Sequence, residues 1–134
     1  MQRVLVATDS DQIFDEVDAA LAGPETTVSR RRNGREVRSA VIELEPDLIV
    51  LDLQIGSMGG MATCMDLRLE ESGGRLEPQS ILLLLDRDAD VFIANQSGAD
   101  GWLIKPTDAG RLRRAARAIR RGESFTELGH TAIG

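Results

Sequence analysis

Short apolar runs alternate along the chain with longer segments in which apolar residues recur at helical spacing. The run Leu-Ile-Val-Leu at 48–51 has the length of a strand that is buried on both faces. Other segments place their apolar residues on one side, as Ile13, Val17 and Leu21 do. The pattern predicts strands over residues 3–8, 26–31, 48–52, 80–85 and 102–104. It predicts helices over residues 11–22, after Gly34, after the loop 54–60, over about 88–97 and over about 107–121.

Five strand–helix units in succession favour an α/β fold. Strands that are apolar throughout and alternate with amphipathic helices are typical of a parallel sheet with helices on both faces. Right-handed crossovers then produce a doubly wound, five-stranded parallel sheet of the flavodoxin-like kind. At 134 residues the chain has the size of one domain. We expect this domain to cover residues 1–122, and residues 123–134 to form a flexible C-terminal tail because they contain few apolar side chains.

Three charged residues lie at the ends of predicted strands. Asp9 follows the first strand, Asp52 ends the third and Lys105 follows the fifth. Because ligands of open α/β sheets bind beyond the carboxyl ends of the strands, we expect these side chains to share a pocket. Two carboxylates there suit Mg²⁺, and a lysine can neutralise a phosphoryl group. The pattern therefore favours Asp52 as a nucleophile for phosphoryl transfer.

Each of these residues also has a plainer interpretation. Asp52 taken alone is a solvated loop carboxylate, and Lys105 taken alone is a surface lysine. Asp9 is a candidate cap for the first helix, as are Ser10 and Asp11. The shared position at strand ends is what favours a pocket over these alternatives.

Four segments of the chain are similar in sequence to those of a known protein family. They read VLVATD at residues 4–9, DLQIGSMGG at 52–60, GADGW at 98–102 and KP at 105–106. With these segments the chain resembles the receiver domains of two-component response regulators, and in size it is similar to the single-domain chemotaxis type. The resemblance spans residues 3–121.

The resemblance implies a role for each matching residue. Asp52 would accept a phosphoryl group, Lys105 would contact it, and the peptide bond between Lys105 and Pro106 would be cis. Mg²⁺ would bind to Asp9, Asp52 and the backbone carbonyl of Gln54. Trp102 would occupy the aromatic switch position. The phosphoryl group would come from a histidine kinase or a phosphotransfer protein. The chain would not be an enzyme beyond self-phosphorylation and autodephosphorylation of Asp52.

Three positions depart from the family pattern. Thr8 stands where receivers usually carry a second acid, so we expect weaker binding of Mg²⁺. Leu85 stands where they carry Ser or Thr, and a shift of one residue gives Asp86, whose charge would repel a phosphoryl group. The missing hydrogen bond to a charged group is worth about 1.5–3 kcal/mol. Gly56 replaces a common proline and should loosen its loop. We therefore expect an altered read-out of phosphorylation.

Composition narrows the classes of function. The net charge of −6 argues against a general nucleic-acid binder. The single cysteine, Cys64, permits no internal disulfide, which suits a reducing compartment. The sequence has no signal-peptide pattern and no apolar run near the roughly 18 residues of a membrane span. We expect a cytoplasmic protein without direct binding to nucleic acid or membrane, and the resemblance implies a bacterial one.

Positive charge is concentrated in the last predicted helix. Residues 105–122 carry seven positive charges and one negative charge. This basic helix is either a solvated face or a contact surface. The resemblance implies that the fourth helix, fifth strand and fifth helix support a homodimer and contact a downstream protein. Four acids could pair with the arginines across a two-fold axis: Asp86, Asp88, Asp90 and Asp100.

These observations leave two main hypotheses of function. The first is a stand-alone, atypical receiver that accepts a phosphoryl group on Asp52 with Mg²⁺ and acts through protein contacts. The second is a pseudo-receiver that binds proteins or dimerises independently of phosphorylation, for which Thr8 and Leu85 are the main support. An enzyme that binds a small phosphorylated ligand is a weaker third hypothesis, because the glycines of the loop 54–60 form no phosphate-binding motif.

Overall fold

The computed structural model describes residues 2–127, in which strands and helices alternate. The strands are β1 (Gln2–Ala7), β2 (Thr26–Arg31), β3 (Leu48–Asp52), β4 (Ile81–Leu85) and β5 (Gly101–Ile104). The helices are α1 (Asp11–Leu21), α2 (Val37–Leu44), α3 (Gly60–Ser72), α4 (Asp90–Gln96) and α5 (Ala109–Arg120). A 3₁₀ turn at Gly34–Glu36 precedes α2. These elements agree with those predicted from the apolar pattern.

All five strands form one parallel sheet in the order β2-β1-β3-β4-β5. The strand order reverses between β1 and β3, so the residues after these two strands face the crevice where ligands of such sheets bind. Asp52, the last residue of β3, and Asp9, two residues after β1, lie there. Lys105 follows β5, which is separated from β3 by β4. The lysine must therefore reach across the end of β4 to approach Asp52.

Alternate residues of the inner strands enter two apolar layers on opposite faces of the sheet. One layer contains Leu51, Leu85 and Trp102 with side chains of α2, α3 and α4. The other contains Val50 and Leu84 with side chains of α1 and α5. Burial on both faces explains why these strands are apolar throughout. Among the described residues, none of the helices has the length and apolar character needed to cross a membrane.

Ser10 begins α1 as its N-cap, and its hydroxyl oxygen accepts a hydrogen bond from the backbone N–H of Ile13 at 3.2 Å. Asp11 lies in the first turn of α1 and accepts a hydrogen bond from Arg30 at 2.7 Å. This hydrogen bond, together with the charge of Arg30, holds the pKa of Asp11 below its ordinary value. Because Ser10 caps α1, the capping alternative for Asp9 is wrong, and the Asp9 carboxylate remains a candidate for the pocket.

The chain remains bonded to the sheet beyond residue 122, where the sequence predicts the start of a flexible tail. The backbone carbonyl of Phe125 accepts the N–H of Trp102 at 2.9 Å, and Phe125 forms a parallel bridge with Gly101. The outer edge of β5 offers backbone groups that no other strand of the sheet pairs, and residues 123–127 use them. Residues 123–127, which the sequence assigns to the flexible tail, therefore include contacts with β5. Residues 128–134 of the predicted tail lie outside the described residues.

Candidate functional site

Asp52 is the last residue of β3 and only 2 % of its surface is exposed. Its Oδ1 accepts hydrogen bonds from the Lys105 ammonium at 2.5 Å and from the backbone N–H of Gln54 at 3.0 Å. Its Oδ2 accepts a hydrogen bond from the Thr8 hydroxyl at 2.6 Å. A buried carboxylate is tolerated only when such partners replace water. The interpretation of Asp52 as a solvated loop carboxylate is therefore wrong.

Lys105 lies between two carboxylates. Its Nζ donates to Asp52 and also to Oδ1 of Asp86 at 2.9 Å. Burial by itself lowers the pKa of Lys105, but the hydrogen bonds to Asp52 and Asp86 outweigh burial and hold the pKa above its ordinary value. Lys105 is therefore a fixed positive charge in the pocket and not a solvated surface lysine. The peptide bond between Lys105 and Pro106 is cis, as the resemblance implies.

Thr8 lies on the β1 side of Asp52 and is fully buried. Its hydroxyl donates to Asp52 and accepts the backbone N–H of Ser10 at 3.0 Å. A separation of 2.6 Å falls in the range of hydrogen bonds from a hydroxyl to an ionised carboxylate. The sequence suggests only that Thr8 is a missing acid. In the structure Thr8 is a direct partner of Asp52.

Asp9 faces the loop that follows β3. Its Oδ2 lies 3.3 Å from the position that a Cβ would take at Gly56, so the carboxylate is close to the loop that carries Gln54. Two carboxylates and a backbone carbonyl, completed by water, are ligands that Mg²⁺ accepts. No group of three or more His, Cys, Asp or Glu side chains within residues 2–127 is arranged to hold a metal ion. The resemblance implies that Asp9, Asp52 and the backbone carbonyl of Gln54 would be the protein ligands of Mg²⁺.

The end of β4 supplies an acid to the site and no hydroxyl. Leu85 is fully buried, and its backbone carbonyl accepts the N–H of Lys105 at 2.8 Å. Asp90, which is 4 % exposed, accepts the backbone N–H of Asp86 at 3.2 Å and that of Arg87 at 3.0 Å. These bonds close the turn between β4 and α4. The closed turn places the Asp86 side chain against Lys105.

Trp102 lies in the same apolar layer as Leu85 and is tied to the C-terminal segment. Its indole N–H donates to the backbone carbonyl of Glu127 at 3.0 Å. The Glu127 carboxylate accepts the N–H of Ile104 at 2.8 Å and a hydrogen bond from Arg111 at 2.7 Å. Burial alone raises the pKa of Glu127, but these hydrogen bonds outweigh burial and hold it below its ordinary value. Trp102, at the proposed switch position, is thus hydrogen-bonded to Glu127, the last described residue.

The acids expected to pair with the basic α5 across a two-fold axis already have partners within the chain. Asp86 binds Lys105, and Asp90 closes the turn before α4. Asp100 accepts hydrogen bonds from Arg68 at 2.9 Å and from a backbone N–H of β4 at 2.7 Å. Ion pairs between two copies of the chain would have to compete with these contacts.

A parallel sheet in the order 2-1-3-4-5, with Lys105 bonded to the buried Asp52 at its carboxyl edge, agrees with the resemblance found in the sequence. A comparison with family models tests that agreement directly. The model of the response regulator receiver domain matches residues 4–117. The chain belongs to this family. As a receiver domain of two-component response regulators, it has a place in phosphorelay signalling.

Longer regulators contain sequences related to this receiver domain. The DNA-binding dual master transcriptional regulator RpaA of Synechocystis is 31% identical over 121 residues, which cover 90% of this chain and 50% of RpaA. The DNA-binding response regulator MtrA of Mycolicibacterium smegmatis is 32% identical over 123 residues, which cover 91% of this chain and 52% of MtrA. The receiver domain spans about half the length of these curated relatives.

Solved structures of other receivers share the fold. The chemotaxis response regulator CheY4 of Vibrio cholerae superposes with a TM-score of 0.77 at 24% identity, covering 89% of this chain and 98% of CheY4. The receiver domain of a signal transduction histidine kinase from Syntrophus aciditrophicus has a TM-score of 0.79 at 25% identity, covering 91% and 92% of the two chains. The predicted flavodoxin-like, doubly wound fold is confirmed.

Three residues of this receiver domain have contacts that the sequence does not predict. Asp86 holds Lys105, where its charge alone suggests only repulsion of a phosphoryl group. Asp90 is the first residue of α4, where an acid is common, so its position alone does not indicate bonds to the turn before the helix. Glu127 has no signal, because a lone acid in a polar segment is indistinguishable from a solvated one.

Proposed function

We propose that Asp52 accepts a phosphoryl group from the phosphohistidine of a histidine kinase or phosphotransfer protein. A carboxylate oxygen of Asp52 attacks phosphorus in line, the phosphorus–nitrogen bond breaks, and an acyl phosphate and a free imidazole result. The observation that carries the proposal is the burial of Asp52 between the Lys105 ammonium and the Thr8 hydroxyl. Together with family membership, this arrangement supports a nucleophile held in one orientation.

Mg²⁺ fits this proposal through Asp9, Asp52 and the backbone carbonyl of Gln54. When bound, the ion would neutralise charge on the phosphoryl group being transferred. Thr8 is neutral where receivers usually carry an acid, so the proposed site has weak affinity for Mg²⁺. Lys105 provides a second positive charge, which Asp52 and Asp86 keep in the pocket before the donor arrives.

We propose that the signal passes on through protein contacts at the surface of α4, β5 and α5, including contacts with a second copy. The absence of a hydroxyl at Leu85 removes a hydrogen bond to the phosphoryl group worth about 1.5–3 kcal/mol, so coupling to this surface is reduced. RpaA and MtrA are both named as DNA-binding regulators, and each is about twice as long as the region that matches this chain. The proposal for the described residues is therefore limited to protein contacts.

The test is transfer of phosphate to the purified protein, measured by intact mass after exposure to acetyl phosphate or to a phosphorylated histidine kinase. We expect addition of one phosphoryl group that requires Mg²⁺ and is lost in Asp52→Asn. Asp9→Asn should raise the Mg²⁺ concentration needed for half-maximal labelling. Asp15→Asn, which makes the same change on the exposed face of α1, is the matched control. Labelling that is absent with both donors, or that persists in Asp52→Asn, contradicts the proposal.

A second candidate function is a protein-binding module that does not depend on phosphorylation. It is favoured because the chain's own groups occupy the pocket: Thr8 binds Asp52, and Asp86 binds Lys105. Partner capture by the wild type and by Asp52→Ala separates the candidates. Equal capture by both proteins, with no effect of acetyl phosphate, supports the module.

A further inference from the structure

Asp86 forms a contact that neither the family assignment nor the acceptor role of Asp52 requires. Its Oδ1 lies 2.9 Å from the Lys105 nitrogen, and the same nitrogen lies 2.5 Å from Oδ1 of Asp52. Two carboxylates therefore converge on one ammonium. Of the two, Asp86 is the more exposed, at 26 % of its side-chain surface against 2 % for Asp52.

The turn after β4 keeps Asp86 in this position. Asp90 is buried and accepts the backbone N–H groups of Asp86 and Arg87, which prevents the turn from opening freely. The second carboxylate oxygen of Asp86, Oδ2, is buried and has no hydrogen-bond partner among residues 2–127. Lys105 is thus the group that compensates the charge of Asp86. Movement of Asp86 away from Lys105 leaves a partly buried carboxylate without its cation.

We infer that Asp86 is a positioning residue that competes with the incoming phosphoryl group for Lys105 and so limits the rate of phosphorylation. This inference rests on the function proposed for Asp52. A phosphoryl group bound at Asp52 draws on the Lys105 ammonium, whose charge Asp52 and Asp86 already share. Asp52 becomes bonded to phosphorus, so Asp86 is the carboxylate that still competes with the phosphoryl group for Lys105.

The size of the competition follows from the chemistry of the contact. A hydrogen bond between charged groups is worth about 1.5–3 kcal/mol, which corresponds to about a ten- to hundredfold change in a rate or an equilibrium constant. Asp86→Asn keeps the shape of the side chain and removes its charge. We expect this variant to be phosphorylated about ten- to a hundredfold faster than the wild type.

The first experiment measures the rate of Asp52 phosphorylation by acetyl phosphate and Mg²⁺ with intact mass. The wild type is compared with Asp86→Asn, with Asp86→Glu, which keeps the charge, and with Asp15→Asn as the matched control. We expect acceleration in Asp86→Asn alone. If the wild type is phosphorylated on Asp52 and Asp86→Asn is no faster, the inference fails and the proposed function stands.

A second measurement does not depend on phosphorylation. Inorganic phosphate is titrated into Asp52→Asn and into the double variant Asp52→Asn/Asp86→Asn, with binding followed by NMR at the backbone amides of Lys105 and Leu85. Tighter binding by the double variant, about tenfold or more, supports competition by Asp86. Equal binding refutes it, even if no donor phosphorylates the protein and the proposed function fails. Unfolding of each variant in urea separates this effect from a purely structural role, since a loss of stability alone would not strengthen phosphate binding.

Discussion

The hydrogen bond from Thr8 to Asp52 gives the sharpest test of how the site is built. Thr8 is fully buried, Asp52 is 2 % exposed, and their oxygens lie 2.6 Å apart. Thr8→Val keeps the branched shape and removes the hydroxyl. The change removes a hydrogen bond to a charged group, worth about 1.5–3 kcal/mol, and leaves the N–H of Ser10 without its acceptor. We expect the free energy of unfolding to fall by about 2–4 kcal/mol.

Unfolding in urea, followed by circular dichroism at neutral pH, measures this loss. Thr63→Val is the matched control, because Thr63 is equally buried but its hydroxyl donates to the neutral carbonyls of Met58 and Gly59. A neutral hydrogen bond contributes about 1 kcal/mol, so the control should lose less stability than Thr8→Val. The difference between the two losses combines the charge of Asp52 with the lost acceptor of the Ser10 N–H.

A double-mutant cycle makes the test specific to the pair. Thr8→Val and Asp52→Asn are measured singly and together, and we expect a coupling of about 1–3 kcal/mol. Two results would refute the reasoning: a coupling near zero, or a loss in Thr8→Val no larger than that in Thr63→Val. Either would mean that Thr8 only fills space beside Asp52.

The segment that covers β5 supplies two further predictions. A Cβ at Gly101 would collide with the backbone carbonyl oxygen of Phe125, so Gly101→Ala should lower the free energy of unfolding in urea by about 1–3 kcal/mol. Gly23→Ala, where a Cβ meets nothing within 4 Å, should change it little. Glu127 has a folded-state pKa below its unfolded value of 4.5, so its contribution is present above pH 4.5 and is lost as the pH falls through the lowered pKa. The stability difference between the wild type and Glu127→Gln should shrink with the fall in pH, and a constant difference would contradict pairing of Glu127 with Arg111.

The fold was predictable because its signals are local. Continuous apolar stretches at 48–51 and 81–85 identify strands buried on both faces, and Gly and Pro residues mark the turns between elements. Parallel strands bring their carboxyl ends to one edge, so the placement of Asp9 and Asp52 at the same edge of the sheet follows from topology alone. These inferences need only the spacing of residues along the chain.

The contacts within the site were less predictable, because they depend on side-chain reach and turn geometry. Lys105 approaches Asp52 only by crossing the end of β4, and the turn closed by Asp90 brings Asp86 to the same ammonium. Thr8 and Asp86 look in the sequence like two separate departures from the receiver pattern. In the structure they place a hydroxyl on the β1 side of Asp52 and an acid on its β4 side.

The amino-acid sequence by itself determined the order of strands and helices, the family and the identity of the buried acceptor candidate, since apolar periodicity and strand-end charges are properties of neighbouring residues. Only the tertiary structure decided which groups form hydrogen bonds with Asp52 and Lys105. It also decided that Glu127 binds at the outer edge of β5. Hydrogen bonds between residues about 20 to 50 positions apart depend on angles and distances accurate to a fraction of an ångström. Such geometry is set by the packed sheet and its turns, and it cannot be inferred from the local pattern of apolar and polar residues.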